Sequence, residues 1–140
     1  MRRLDLAWLA VTDRRRRLGE IGERLARRHL VARGYRVLDR NFRTRHGEID
    51  VVAAGSDCLV FCEVKTRVTH GSPGPFGPLA SVGRRKQRQV RRMAAQWLAE
   101  RSGQGGGIQG GGGAIRFDAI GITLSPSGTL LWLDHVENAF

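Results

Sequence analysis

The sequence predicts an α/β domain, in which a helix and three strands are followed by a second helix and two strands. Three observations support this fold class. Residues 14–33 carry apolar side chains at helical spacing, and Gly34 follows them as a stop signal. The stretch 47–67 is typical of two strands joined by a turn at residues 55–57. Its second half is apolar on both faces, which indicates a central strand covered on both sides.

The remaining elements follow from composition and spacing. The first helix is predicted to bury Leu18, Ile21, Leu25, His29 and Ala32, and the second, over 82–101, to bury Val90, Met93, Ala94 and Trp97. The predicted strands are 35–45, 48–54, 58–67, 114–124 and 129–136.

Three segments are predicted to lie outside the helices and strands. Residues 1–13 are expected to be a disordered extension before a single domain at 14–140. The stretch 68–81 is rich in Gly, Pro and Ser, which indicates a loop. Residues 102–113 hold eight glycines in twelve positions, which predicts a flexible insertion within the domain.

Charge and cysteine content narrow the classes of function. The chain has 24 Lys and Arg residues against 13 Asp and Glu, a formal charge of +11, which favours nucleic acid over a membrane surface as partner. A generally basic proteome, or simple solubility, is the other explanation of that charge. No apolar run approaches the length of a membrane span. Cys58 and Cys62 share one predicted strand, about 13 Å apart, so they cannot form a disulfide with each other. Free thiols predict a cytoplasmic location.

Charged residues interrupt the two most strand-like segments. With an even-numbered turn, Asp50 and Glu63 lie on one face, diagonal for a two-residue loop and directly opposite for a four-residue loop. Lys65 shares the face of Glu63 because side chains alternate along a strand. A hard divalent cation such as Mg²⁺ would offset the cost of burying these carboxylates. The alternative is a structural ion pair of Lys65 with Glu63 or Asp50.

Both helices add charged residues of interest. Glu23 lies about 20° from Leu30 around the first helix, so it can face the sheet; its other interpretation is a surface pair with Arg27. In the second helix, Lys86 falls within the buried stripe and is expected to reach towards the sheet, unless it merely extends to solvent. The outward-pointing side chains either follow a phosphate backbone or are simply solvated, and they are Arg84, Arg88 and Arg91.

These residues resemble a known family. Asp50 followed by Glu63-Val64-Lys65 is similar to the PD-(D/E)xK signature of restriction-endonuclease-like nucleases. More narrowly, the chain resembles the YraN-like bacterial proteins, which are distantly similar to archaeal Holliday-junction resolvases. The matching pieces are "GEIGERLARRHLVARGY", "NFRTRHGEID", "VFCEVKTR", Phe76-Gly77, Lys86 and "RFDAIGI" from Arg116.

The resemblance implies a mixed sheet of about five strands flanked by two helices. It also implies Asp50 and Glu63 as ligands of Mg²⁺, with Mn²⁺ as a substitute, and Lys65 as the catalytic lysine. Glu23 matches a helix glutamate that assists the metal. The positions that match the family without an assigned role are Glu48, Arg67, Lys86, Arg116 and Asp118. Of these, Arg67 and Lys86 join the outward arginines as predicted nucleic-acid-binding residues.

Three functions follow as hypotheses. The favoured one is a Mg²⁺-dependent endonuclease that hydrolyses phosphodiester bonds, in DNA rather than RNA, with branched or damaged DNA as candidate substrates. The alternative is a nucleic-acid-binding module that keeps the nuclease fold without catalysis, and a third, weaker hypothesis is an RNA-binding or ribosome-binding basic protein. A homodimer stays open, because enzymes that cleave two-fold symmetric junctions are themselves usually two-fold symmetric.

Overall fold

The computed structural model describes residues 3–74, 83–102 and 113–140. Its elements, in chain order, are α1 (Arg3–Ala32), β1 (Arg36–Thr44), β2 (Gly47–Ala54), β3 (Cys58–Val68), α2 (Arg84–Ser102), β4 (Ala114–Leu124) and β5 (Leu130–Val136). The strands form one sheet in the order β1-β2-β3-β4-β5, and only β3 and β4 run parallel. The predicted α/β class, with a mixed five-stranded sheet and two helices, is confirmed.

The sheet is covered by a helix on each face, so the core forms two layers. The layer under α1 contains Ala26, Leu30, Val51, Ala53, Val60, Cys62, Ile120, Ile122 and Leu124. The layer under α2 contains Ile49, Val52, Leu59, Phe61, Val90, Met93, Ala94, Trp97 and Phe117. The alternation of β3 between the two layers explains why both of its faces are apolar. The predicted buried stripe of α2 is confirmed at all four positions.

The first helix begins at Arg3, so the predicted start at residue 14 was wrong and residues 3–13 are helical rather than a disordered extension. The run Arg14–Arg17 does not interrupt the helix, because arginine is a strong helix former. The end is as predicted. Gly34 has a φ of 93°, and its N–H donates to the carbonyl of Val31, while the N–H of Tyr35 donates to the carbonyl of Leu30. These two hydrogen bonds are a Schellman motif.

The buried line of α1 differs from the predicted stripe. Gly22, Ala26 and Leu30 face the sheet most closely, while Leu18, Ile21, Leu25 and His29 are only partly buried and Ala32 is exposed. The reason is Gly22, where an added Cβ would overlap Thr66 Oγ1. The helix therefore approaches β3 through a residue without a side chain.

The hairpin of β2 and β3 adopts the four-residue alternative. The paired residues are Val51–Cys62, Val52–Phe61, Ala53–Val60 and Ala54–Leu59. The regular pairing ends at Val51–Cys62, so it does not include the predicted pair of Asp50 with Glu63. Both cysteines are free, as predicted.

In the described part of the chain, neither helix combines the length and apolar character needed to cross a bilayer. Three sequence predictions fall largely or wholly outside the described residues. They concern Phe76-Gly77, the second half of the loop at 68–81 and most of the glycine-rich stretch at 102–113.

Candidate metal site

Three carboxylates from two elements meet at one end of the sheet. Glu23 comes from α1, and Glu48 and Asp50 come from β2, where they lie two residues apart and so project to the same side. One oxygen of each lies within 4.8 Å of the others. All three side chains are half-buried. Such a group of oxygens is the donor set that hard divalent cations prefer.

The position of Asp50 results from an irregularity in β2. Ile49 and Val52 both pack under α2, although strict alternation would put residues three apart on opposite faces. The regular β2–β3 pairing ends at Val51 and does not reach Asp50. There the side chain of Asp50, instead of a backbone carbonyl, is the acceptor: its Oδ2 accepts a hydrogen bond from the Val64 N–H at 2.7 Å. Asp50 is therefore fixed by β3 while its carboxylate joins Glu23 and Glu48.

The environment of Asp50 disfavours its charge. Burial raises its pKa, the Val64 N–H opposes this effect, and repulsion by Glu23, Glu48 and Glu63 raises it further, to about 7. The pKa of Glu23 is also raised, first by burial and then by the neighbouring charge of Glu48. The uncompensated negative charge of these groups fits a cation, and binding one would displace the proton from Asp50.

Asn41 connects Glu23 and Glu48. It lies in β1 with a φ of 52°, a left-handed conformation that asparagine tolerates better than most residues. With its amide nitrogen turned to the carboxylates, it donates to Glu48 Oε1 at 2.8 Å and to Glu23 Oε2 at 3.2 Å. The alternative pairing of Glu23 with Arg27 is not found as an ion pair among the described residues. Arg27 acts on Glu23 only as a more distant charge that lowers its pKa.

Glu63 does not join the three carboxylates. Its Oε1 lies 3.5 Å from the ammonium of Lys86, which reaches from α2 towards the sheet as predicted. Glu63 nevertheless remains close enough to Asp50 to raise its pKa. Lys65 is half-buried, and within the described ranges it forms no ion pair with Glu63 or Asp50. The structural ion pairs considered as an alternative to a metal site are therefore not present in these parts of the chain.

The other predicted nucleic-acid-binding residues differ in their surroundings. The guanidinium of Arg67 donates to Thr123 Oγ1 at 2.8 Å and to the Gly74 carbonyl at 2.6 Å, so it ties β3 to β4 and to the segment after β3. Arg91 lies over the ring of Phe117, 5.4 Å from its centroid. Arg84 and Arg88 are exposed on α2.

The sequence reasoning missed Glu48 and Asn41 as members of the site. The alternation of Glu48 with Asp50 in "GEID" was a signal for the first. Asn41 offered no such signal, since its role depends on a left-handed residue inside a strand and on the pairing of β1 with β2.

A second polar cluster lies under α1 around Asp118, which is fully buried. Arg116 donates to both carboxylate oxygens of Asp118 at 2.9 Å, and His135 Nε2 lies 2.7 Å from Oδ2. His135 Nδ1 in turn lies 3.0 Å from His29 Nε2. Burial raises the pKa of Asp118, but the hydrogen bonds from His135 and Arg116 outweigh it, so the pKa is lowered. Every polar group of this cluster has a partner, which indicates a structural role.

The mixed five-stranded sheet with its two flanking helices is consistent with a restriction-endonuclease-like fold. Residues 22–122 match the family described as "Uncharacterised protein family UPF0102". The chain belongs to this family, the YraN family.

Relatives named UPF0102 protein align over nearly their whole length. One from Parafrankia sp. is 44% identical over 124 residues, 89% of this chain and 96% of the relative. Another from Alkaliphilus oremlandii is 42% identical over 127 residues, 89% and 98% of the two chains. A third, from Streptomyces griseus, is 46% identical over 111 residues, 79% and 86%.

Proposed function

We propose that this protein is a Mg²⁺-dependent nuclease that hydrolyses phosphodiester bonds in DNA. The observation that carries the proposal is the convergence of Glu23, Glu48 and Asp50, whose oxygens lie within 4.8 Å of one another. Charged groups this close are costly without a counterion. Within the described residues their one ion pair joins Glu48 to the largely exposed Arg43, at 3.7 Å. A pure phosphate-binding surface would gain nothing from the three carboxylates, because they repel the ligand.

The residues have separate roles in this proposal. Asp50, fixed through Val64, and Glu63, once released from Lys86, would hold the metal. Glu23 and Glu48, held by Asn41, would bind waters of the metal or the metal itself. A bound Mg²⁺ would polarise the phosphoryl oxygen and lower the pKa of an attacking water. Lys65 would hold a non-bridging phosphate oxygen and stabilise the charge that develops there.

The experiment is cleavage of labelled duplex, single-stranded and four-way-junction DNA, with matched RNA, in Mg²⁺, Mn²⁺ or EDTA. Wild type is expected to cleave DNA only with metal, and Asp50→Asn, Glu63→Gln and Lys65→Met are expected to lose at least about 100-fold in rate. Asp13→Asn is the matched control, since Asp13 is an exposed carboxylate on α1 that pairs with Arg16. Cleavage that survives in EDTA, or in the Asp50 variant, would contradict the proposal.

One observation favours the alternative of a binding module without catalysis. The pairing of Glu63 with Lys86 keeps this carboxylate away from Asp50 and Glu48. In a binding module that ion pair would persist with nucleic acid bound. Equal affinity for DNA in EDTA and in Mg²⁺, together with no cleavage of any substrate, would select this function.

A further inference from the structure

A groove runs along the outer side of the fold between α1 and the edge strand β1. It has a volume of about 550 Å³, and four arginines line it: Arg17, Arg24, Arg27 and Arg40. Its wall also includes Glu23 and Asn41, which belong to the carboxylate cluster. The basic groove and the candidate metal site are therefore one continuous surface. No residue predicted from the sequence to bind nucleic acid lies in it.

The four arginines of the groove are available to an external anion. In the parts of the chain that the structure describes, none of the four makes an ion pair, whereas Arg16, Arg33, Arg43 and Arg116 all do. Three of them, Arg24, Arg27 and Arg40, also lie close enough for their charges to interact. The pKa of Arg27 is lowered first by burial and then by the charge of Arg40; Glu23 opposes this effect, and Arg24 lowers the pKa further. Like charges that face each other across a concave surface are stabilised by an anion placed between them.

The spacing of the arginines fits a chain of phosphates. Arg17 and Arg27 are ten residues apart on one helix, which is about 15 Å along its axis. Each strand of duplex DNA carries one phosphate per about 3.4 Å of axis, so this row spans about four phosphates. Because the four arginines line a groove and Arg27 is half-buried, a narrow strand fits this surface better than the flat surface of a bilayer does.

We propose that the groove between α1 and β1 binds the sugar-phosphate backbone of one nucleic-acid strand and leads it to the carboxylate cluster. This inference rests on the proposed function for the nature of the substrate, and it assigns the binding track to α1 and β1 instead of α2. On α2, Lys86 is paired with Glu63 in the metal-free protein, and Arg91 lies over Phe117.

The test compares pairs of variants that remove the same charge. Arg24→Gln/Arg27→Gln changes the groove, and Arg85→Gln/Arg92→Gln changes two exposed arginines of α2. Binding to a labelled strand of about 20 nucleotides and its duplex is measured by fluorescence anisotropy in EDTA at several salt concentrations. The groove pair is expected to reduce the slope of log K against log salt by about two and to weaken binding about 30-fold at about 0.15 M salt. The α2 control pair is expected to leave the slope unchanged and to alter the affinity by less than about 3-fold.

An equal loss in the two pairs would overturn the inference, because general charge would then explain binding. Unchanged binding in the groove pair would overturn it as well. Circular dichroism checks the fold, and Arg40→Gln, on β1, gives a second measurement that does not alter α1. Wild type that binds vesicles of phosphatidylglycerol through Arg24 and Arg27, but not DNA at equal phosphate concentration, would refute nucleic acid as the ligand.

The outcome separates this inference from the proposed function. Binding in EDTA needs no catalysis, so a groove pair that loses binding supports the inference even if wild type never cleaves. Metal-dependent cleavage by wild type, with unchanged binding and cleavage in the groove pair, would support the nuclease function. It would refute only the inference that the groove binds the strand.

Discussion

Replacing Asp50 with asparagine is expected to stabilise the metal-free protein. The pKa of Asp50 is raised from 3.8 to about 7, because burial and three neighbouring carboxylates disfavour its charge. An acidic group whose pKa is higher in the folded than in the unfolded state contributes most to stability when the pH is below its unfolded-state pKa. That contribution is lost as the pH rises through its folded-state pKa. Ionised Asp50 therefore destabilises the fold increasingly between about pH 4 and about pH 7. Asparagine keeps an oxygen for the Val64 N–H but carries no charge.

The magnitude follows from the size of the shift. The difference between 7 and 3.8 is 3.2 units. At 1.36 kcal/mol per unit, ionisation of Asp50 costs the folded state at most about 4 kcal/mol above pH 8 and about 2 kcal/mol at pH 5. The difference in the free energy of unfolding between Asp50→Asn and wild type is thus expected to grow by about 2–3 kcal/mol from pH 5 to pH 8, in favour of the variant.

The assay is urea unfolding in EDTA at pH 5, 6, 7 and 8, followed by tryptophan fluorescence, to which the buried Trp97 contributes. Asp13→Asn, on the exposed part of α1, should show no such trend. An Asp50→Asn advantage that stays constant with pH would refute the reasoning, and so would a variant less stable than wild type at pH 8. Saturating Mn²⁺ is expected to raise the midpoint of wild type and to leave Asp50→Asn unchanged.

Three further outcomes are expected, each measured by thermal or urea unfolding. Gly22→Ala should lower the free energy of unfolding by about 1–3 kcal/mol, because its Cβ would collide with Thr66. Gly19→Ala, with nothing within 4 Å of the added Cβ, should be neutral or stabilising. Equal effects of the two substitutions would contradict the close contact between helix and sheet. Asp118→Asn should cost about 3–5 kcal/mol, since it leaves the charge of Arg116 poorly compensated, and a loss below about 1 kcal/mol would argue against a buried network. Burial and then His135 lower the pKa of His29, so neutral His29 contributes stability above about pH 6.5, and this contribution is lost in more acid solution. His29→Gln should therefore reduce the fall in the free energy of unfolding on acidification. An unchanged fall would exclude His29 as its source.

Local patterns in the sequence were enough to predict the elements and their two-sided packing. Val90, Met93, Ala94 and Trp97 are buried because helical spacing places them on one face. The end of α1 at Gly34 follows from the freedom of glycine at positive φ. The start of α1 could not be placed in the same way, because "RLDLAWLAVTD" has neither the caps nor the clear apolar stripe that would mark it.

The membership of the candidate site depended on features that spacing does not encode. Regular alternation predicts Asp50 and Glu63 on one face, but the irregularity at Asp50 turns it to Glu23 and Glu48 while Glu63 meets Lys86. The role of His135 was also invisible, since its partners come from α1 and β4 and meet only through the completed sheet. Tertiary contacts of this kind require the register of every strand between them.

The parallel pairing of β3 with β4 has a consequence for how the chain folds. The hairpins β1–β2 and β2–β3 close over short turns, whereas Cys58–Val68 finds Ala114–Leu124 only after the intervening residues 69–113 have been brought round. The entropy cost of closing this long connection comes before the stabilising contacts between β3 and β4 form. The pairing of β3 with β4 is therefore expected to limit the folding rate. Doubling the length of the connection would add only about 0.6 kcal/mol to its closure. The glycine-rich stretch is therefore a place where the chain can be lengthened with a small delay in folding and little change in the rate of unfolding.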